Sequence, residues 1–263
     1  MNWQSALGVL SVLVLVTHAR GQEVQQDIRD FVSAPSGLSY RELAESYSAA
    51  VVPQLVSLLN SKEEEANWTR IAGLLGVVGN EQAVEALIAF MEKPLEAQRI
   101  SFAHQDAYRQ SIMSLGLLVN RTSNERALQY LVDGLTPSVW RQRGVQGIPP
   151  WAKSYDQSDR LLAEYALIGL AVSGNPRAGD TLRSLQQMPA VGQARFPDST
   201  LTQWLEVHQL VAERGVAGMY EYYEAERTLR AELAEQEADG RRAEREEQRR
   251  LGEAQNPGQP AVQ

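Results

Sequence analysis

Apolar positions recur at helical spacing along this chain, and one phrase recurs with them. "GNEQAVEAL" (79–87), "NERALQYL" (124–131) and "GNPRAGDTL" (174–182) share the frame Asn-x-x-Ala-x-x-x-Leu, each after a glycine-containing apolar run. In the first copy, "NWTRIAGLLGVVG" (67–79) sets Ile71, Leu74, Leu75 and Val78 at the 0, 3, 4, 7 spacing of one helix face. Gly79 is expected to end that helix in a left-handed conformation. Asn80 is expected to cap the next helix by accepting from its first free amides. That second helix carries Ala83, Val84, Leu87, Ile88 and Phe90 as its apolar set. The second copy pairs "YRQSIMSLGLLVN" (108–120) with "NERALQYLVDGL" (124–135). The third pairs "RLLAEYALIGLAVSG" (160–174) with "NPRAGDTLRSLQQM" (175–188), where Pro176 stands at the favoured first helical position. The phrase therefore reads as a helix cap followed by two core contacts. Its alanine lets the second helix approach the first, and the leucine four residues on shares that face.

Ala83 to Ala127 spans 44 residues and Ala127 to Ala178 spans 51. Two-helix repeats of HEAT or armadillo type run at about 40 to 47 residues, so the longer spacing points to an insertion. A degenerate earlier unit is expected at 39–61, with Pro53 opening a helix that carries Leu55, Leu58 and Leu59. The runs "IAGLLGVVGNEQAVEALIAF", "SLGLLVNRTSNERALQYLVDGL" and "ALIGLAVSGNPRAGDTLRSL" resemble HEAT-like repeats of the type first grouped with phycobilin lyases. The resemblance covers about 39–188. It implies an all-α fold, a short α-solenoid of helical hairpins, and it supplies no catalytic motif that maps onto positions here. Such repeats serve scaffolds and adaptors as well as a few lyases, and a pigment-attaching role does not suit a chain with an export signal.

The remainder divides by composition. "ALGVLSVLVLV" (6–16), followed by small residues in "THA" and "ARG", reads as a signal peptide over 1–21, with cleavage after Gly21 or Ala19. Its apolar core is too short to span a bilayer. An N-terminal segment (22–38) leads into the repeats. After them, 189–218 is expected to hold a loop, "PAVGQARFPDST", and a capping helix at 201–215. Residues 219–254 form a charged helical extension with Glu226–Arg230, Glu237–Arg241 and Glu246–Arg250 at i,i+4 spacing and Gly240 as an expected break. The last residues, 255–263, read as a disordered tail.

The chain has 263 residues, 43% of them hydrophobic, enough to bury a core. Its net charge of −8 argues against general affinity for nucleic acid or anionic membranes. Cysteine is absent, which removes disulfides, thiol nucleophiles and Cys-ligated metals. No catalytic, cofactor or metal residues are assigned. "FAHQDAY" sets Asp106 two residues from His104 without a third partner for nucleophilic or metal chemistry; it reads as a polar loop or helix start. His208 reads as a core-edge residue. "KEEEAN" (62–67) lacks the alternating ligands and turn glycine of a calcium loop, and its acids suit the start of the helix that follows. "NWT" (67–69) and "NRT" (120–122) match the glycosylation pattern but would be silent in a bacterial host, which the Arg-rich composition suggests.

The segment between copies two and three, 136–159, carries the candidate binding residues. Trp140, Arg141, Arg143, Trp151 and Lys153 place two indoles and three positive charges in an otherwise acidic chain. Trp and Arg are enriched at binding hot spots, and a long loop inside a compact array is often functional. The competing expectation is that the two tryptophans close the end of a hydrophobic groove, with the arginines solvated. Together these features predict an exported, non-enzymatic scaffold or adaptor for a protein or peptide, without nucleic acid and without a membrane span once the signal is removed. The alternatives are an oligomerising envelope protein built on the charged helix, and an enzyme or lyase-like accessory.

Overall fold

A computed structural model describes Ile28, Val32 and residues 47–95, 98–145, 147–150, 152–187 and 196–255. The expected signal peptide at 1–21, most of 22–46, Trp151, most of the expected loop at 189–200 and the tail after Gln255 lie outside the described residues. The chain divides into two compact units, one ending at Ala217 and the other starting at Gly218. Among the described residues the regular structure is helical, with a single isolated parallel bridge between Arg99 and Ile148. No described helix is long and apolar enough to cross a membrane.

Helix α1 (Val52–Asn60) follows a 3-10 turn at Ala49–Val51. Pro53 falls in its first turn, where a missing N–H breaks no helical bond, and Leu55, Leu58 and Leu59 are buried. A 3-10 stretch (Lys62–Asn67) then leads into α2 (Trp68–Val78) and α3 (Glu81–Glu92). The second copy of the phrase gives α4 (Phe102–Thr122) and α5 (Glu125–Gly134). The third gives α7 (Tyr155–Ser173) and α8 (Pro176–Gln187), after a short α6 (Pro137–Gln142).

The phrase does the same work each time. Asn80, Asn124 and Asn175 accept through Oδ1 from the amides of Gln82 (3.0 Å), Ala127 (2.9 Å) and Arg177 (3.0 Å). Ala83, Ala127 and Ala178 are fully buried, as are Leu87, Leu131 and Leu182. Within the first unit, α4 packs against both α2 and α7, and α5 packs against both α4 and α7. The first helices of the three hairpins are thus laid side by side.

Glycines in the apolar runs make that layer possible. A Cβ on Gly116 would meet the Gly169 carbonyl carbon at 2.7 Å and its Cα at 2.8 Å, so α4 and α7 touch backbone to backbone. A Cβ on Gly76 would meet Ser114 Cβ at 2.6 Å where α2 crosses α4. Polar side chains of α4 finish the contact. Ser114 Oγ donates to the Ala72 carbonyl (2.8 Å), Arg121 to Val77 (2.7 Å), and Asn120 to Ser173 (2.9 Å). The last two supply donors near the C-terminal ends of the neighbouring helices, where carbonyls lack helical partners.

Four expectations are corrected. Gly79 is extended (φ −67°, ψ 173°), not left-handed. Glycine stands there because a Cβ would come within 2.6 Å of Ala83 Cβ and 2.9 Å of Leu118 Cδ2. The left-handed stops occur at Ser123 (φ 53°) and Gly174 (φ 55°) in the other two copies. Second, α4 and α7 begin earlier than their apolar runs, at Phe102 and Tyr155, because their first turns are more polar. Third, the expected loop residues Asp198 to Thr200 already belong to α9, assigned over Asp198–Gln255. Fourth, the interruption in α9 is Gly215 (φ 70°, ψ 175°), not Gly240. A glycine inside a helix weakens it by about 1 kcal/mol relative to alanine but leaves the hydrogen-bond ladder intact. The backbone at Gly215, by contrast, has left the helical region.

Candidate functional site

The insertion between copies two and three folds onto its own hairpins. Pro137 starts α6, which brings Trp140 into the core with none of its surface exposed. The indole Nε1 donates to the Gly134 carbonyl (2.8 Å), and the ring meets Tyr130 edge-on at 5.8 Å between centroids. Gly134 has no side chain where the indole lies: a Cβ would sit 2.5 Å from Trp140 Cζ2. Arg143 lies over the Tyr130 ring at 3.8 Å and donates to the Tyr130 carbonyl (2.9 Å) and to Asp133 (3.1 Å). Arg141 reaches α7, where one nitrogen donates to both Asp156 and Asp159 at 2.6 Å. Lys153 is exposed, and its backbone N–H donates to Gln157 Oε1 (2.7 Å). Trp151 lies outside the described residues. Of the two expectations for Trp140, the buried indole matches the groove-closing one, since α6 turns it inward; the two arginines beside it are engaged within the chain.

This clasp has a pH signature. Asp159 is buried, and burial pushes its carboxyl above the ordinary carboxylate value, against the opposing pull of Arg141. Arg141 is itself pushed up by its hydrogen bonds to Asp156 and Asp159. A carboxyl whose folded pKa is raised binds protons more readily folded than unfolded. Its contribution therefore favours the fold on the acid side and declines as pH rises through the folded pKa. Removing Arg141 raises Asp159 further and leaves a buried carboxylate without that partner at neutral pH. Arg141→Ala is thus expected to lower stability most near neutral pH, with the gap to the parent closing on acidification. Urea melts across that range check this, and a gap independent of pH would contradict it.

A second feature lies at the first hairpin. His104, in the first turn of α4, turns toward Trp68 (ring centroids 5.1 Å apart), Phe90 (5.8 Å) and Tyr108 (4.7 Å). Trp68 and Phe90 also meet edge-on at 5.2 Å, and the Trp68 indole is anchored by its Nε1 donating to the Ser61 carbonyl (2.9 Å). Burial pushes the His104 imidazole below its ordinary value; Glu65 opposes this and Lys93 adds to it. The Asp106 carboxylate bonds Arg109 at 2.9 Å instead. Of the expected polar loop or helix start, His104 occupies the helix start, and its ring is turned into an aromatic cluster.

Trp68, Phe90 and His104 form part of the wall of a cleft of about 220 Å³, which also takes in Lys62, Lys93 and Arg99. Glu65 and Ser101 line it too, the Ser101 hydroxyl donating to the Glu65 carboxylate. The clasp reaches this cleft through the backbone. The Ile148 amide donates to the Gln98 carbonyl (3.0 Å) and the Ile100 amide donates to Ile148 (3.3 Å), fixing the strand-like segment that carries Arg99. Sequence reading missed these residues as a group. The available signal was the lysine count, since two of only three lysines, Lys62 and Lys93, flank the first hairpin.

His208 is buried, and its Nε2 donates to the Asn175 carbonyl at 2.9 Å, which steadies the capped start of α8. The ring occupies the space left by Gly179, where a Cβ would lie 2.6 Å from Cε1. In "KEEEAN", Glu64 accepts from Asn67 Nδ2 (2.8 Å). No group of three or more His, Cys, Asp or Glu side chains suited to a metal ion is present among the described residues. In comparisons with known proteins, the chain matches no protein-family model, no curated protein and no solved structure.

Proposed function

We propose that this chain is an exported binding protein, a short HEAT-like α-solenoid that holds a protein or peptide and performs no reaction of its own. The observation that carries the reading is the thrice-capped hairpin. Three copies of one phrase produce hairpins whose first helices lie side by side, the arrangement by which repeat arrays create an extended surface. Export rests on the apolar run at 6–16 and the small residues after it. The contacts of Trp140, Arg141 and Arg143 favour a clasp that closes the array over a contact surface at 136–159.

The test is capture from the native envelope by the mature chain, followed by titration with the purified partner. Saturable binding by a chain whose N-terminus begins near Gln22 is the expected outcome. An intact Met1 on cytosolic protein, or purified chain that retains nothing from its envelope, overturns the reading. A second reading, self-association through the charged helical extension at 219–254, is favoured by the exposed rings of Tyr220, Tyr222 and Tyr223. Sedimentation of the chain with and without 219–263 separates the two readings.

A further inference from the structure

We propose that the cleft at the first hairpin is a binding site for a small organic acid, a flat apolar group ending in a carboxylate, received on Trp68, Phe90 and His104 and held by Lys93, Arg99 and Lys62. The inference does not depend on export or on a protein partner. It begins with charge. The charged side chains lining the cleft are Lys62, Lys93 and Arg99 against the single carboxylate of Glu65, in a chain whose net charge is −8. A local excess of positive charge in an acidic protein marks the sign of what the cleft receives, because a low-dielectric wall concentrates the field of charges at its rim.

The shape and lining narrow the class. The three rings bring apolar surface into the cleft, and binding sites of this kind pair apolar walls with a few placed polar groups. Its volume of about 220 Å³ suits a ring and a short chain, not a nucleotide. The donors match a singly charged acid better than a phosphate. Phosphate sites commonly use free amides at a helix N-terminus. Here the start of α4 is already capped, since Ser101 Oγ accepts from the His104 amide (3.0 Å). The cations of the lining are side chains, and Arg99 offers the forked geometry that carboxylates accept.

The cleft is also built rather than incidental. Its members come from four separate places in the chain. Lys62 and Glu65 sit on the 3-10 stretch, Trp68 opens α2, Phe90 and Lys93 lie at the end of α3, and Arg99 to His104 lead into α4. Three of these places are tied down by bonds that also serve the fold. The Trp68 indole is fixed by Ser61, Glu65 accepts from Ser101, and the Arg99 segment is held by Ile148 of the clasp.

The same chemistry could arrive as a free aromatic acid or as the C-terminal aromatic residue of a peptide. Calorimetric titration of the purified full-length chain with 3-phenylpropanoate, with a tripeptide ending in phenylalanine, and with the amide of each distinguishes them. The acid forms are expected to bind at least about ten-fold more tightly than their amides, the difference a charged hydrogen bond makes. Whichever acid binds more tightly identifies the source. Lys93→Gln and Arg99→Gln, both exposed positions, are expected to weaken the acid by about five-fold or more. Lys153→Gln, the remaining lysine and not part of the cleft lining, is expected to leave it unchanged. The His104 imidazole, followed by NMR, is expected to titrate at higher pH in the complex, since a bound anion adds to Glu65 against burial and Lys93. Equal binding of acid and amide, no binding of either acid, or full affinity in both the Lys93 and Arg99 variants overturns the proposal.

Discussion

Replacement of Trp140 by alanine is expected to destabilise the first unit by about 3–5 kcal/mol, the range for a buried aromatic truncated to alanine. The indole is fully buried on the short helix α6, so its removal leaves a cavity. The Gly134 carbonyl would lose its donor, and Tyr130 its edge-on partner. Trp140→Phe separates these parts, because it keeps most of the ring and loses the N–H; a smaller loss of about 1–3 kcal/mol is expected from the unpaired carbonyl. Chemical denaturation with a two-state fit measures both. A Trp140→Ala protein as stable as the parent, but weakened in partner binding, would return the indole to the surface role that its sequence context suggests.

The phrase leucines are expected to behave alike. Leu87→Ala, Leu131→Ala and Leu182→Ala should each remove about 2–5 kcal/mol, since all three side chains are fully buried at the same register. Leu131 should stand at the upper end. It packs where a Cβ on Gly169 would meet its Cδ2 at 2.9 Å, so it fills the junction of α5 and α7, and close packing on two helices leaves little room to collapse. Glu85 and Gln129, exposed members of the same repeats, serve as controls, and their alanine variants should stay within about 0.5 kcal/mol of the parent. Leucine variants no more damaging than those controls would mean that the phrase is not a core register.

Limited proteolysis of the Trp140→Ala protein tests whether the clasp supports the cleft. The clasp carries both the buried indole and Ile148, which holds the Arg99 segment. Loss of the indole should therefore expose cleavage at Arg99 and Arg141 before the hairpin helices open, because local unfolding begins where buried contacts are few.

The repeat, its caps and its core positions were legible along the chain. Asparagine caps, buried alanines and leucines at fixed offsets, and a proline in a first turn are local features. Their physics runs between residues a few positions apart, so the order of residues determined them. The charged C-terminal stretch was readable on the same terms, as a run of composition. The glycines were only half legible. Gly79 was visible as a stop, but its extended conformation follows from Ala83 and Leu118 crowding it, and Gly116 acquires its meaning only from Gly169, more than fifty residues away.

Tertiary structure alone decided the rest. Whether Trp140 faces a partner or the core depends on where α6 folds back, and Pro137 permits that turn without stating its direction. Arg141 and Arg143 look like free binding charges until Asp156, Asp159 and Asp133 are brought to them. The cleft is the clearest case. Lys62, Trp68, Phe90, Lys93, Arg99 and His104 share no spacing that a motif could encode, because the 3-10 stretch, α2, α3 and α4 converge on it from different directions. Periodicity along one helix specifies which face is apolar. Only packing among helices determines which distant side chains come to share a cleft.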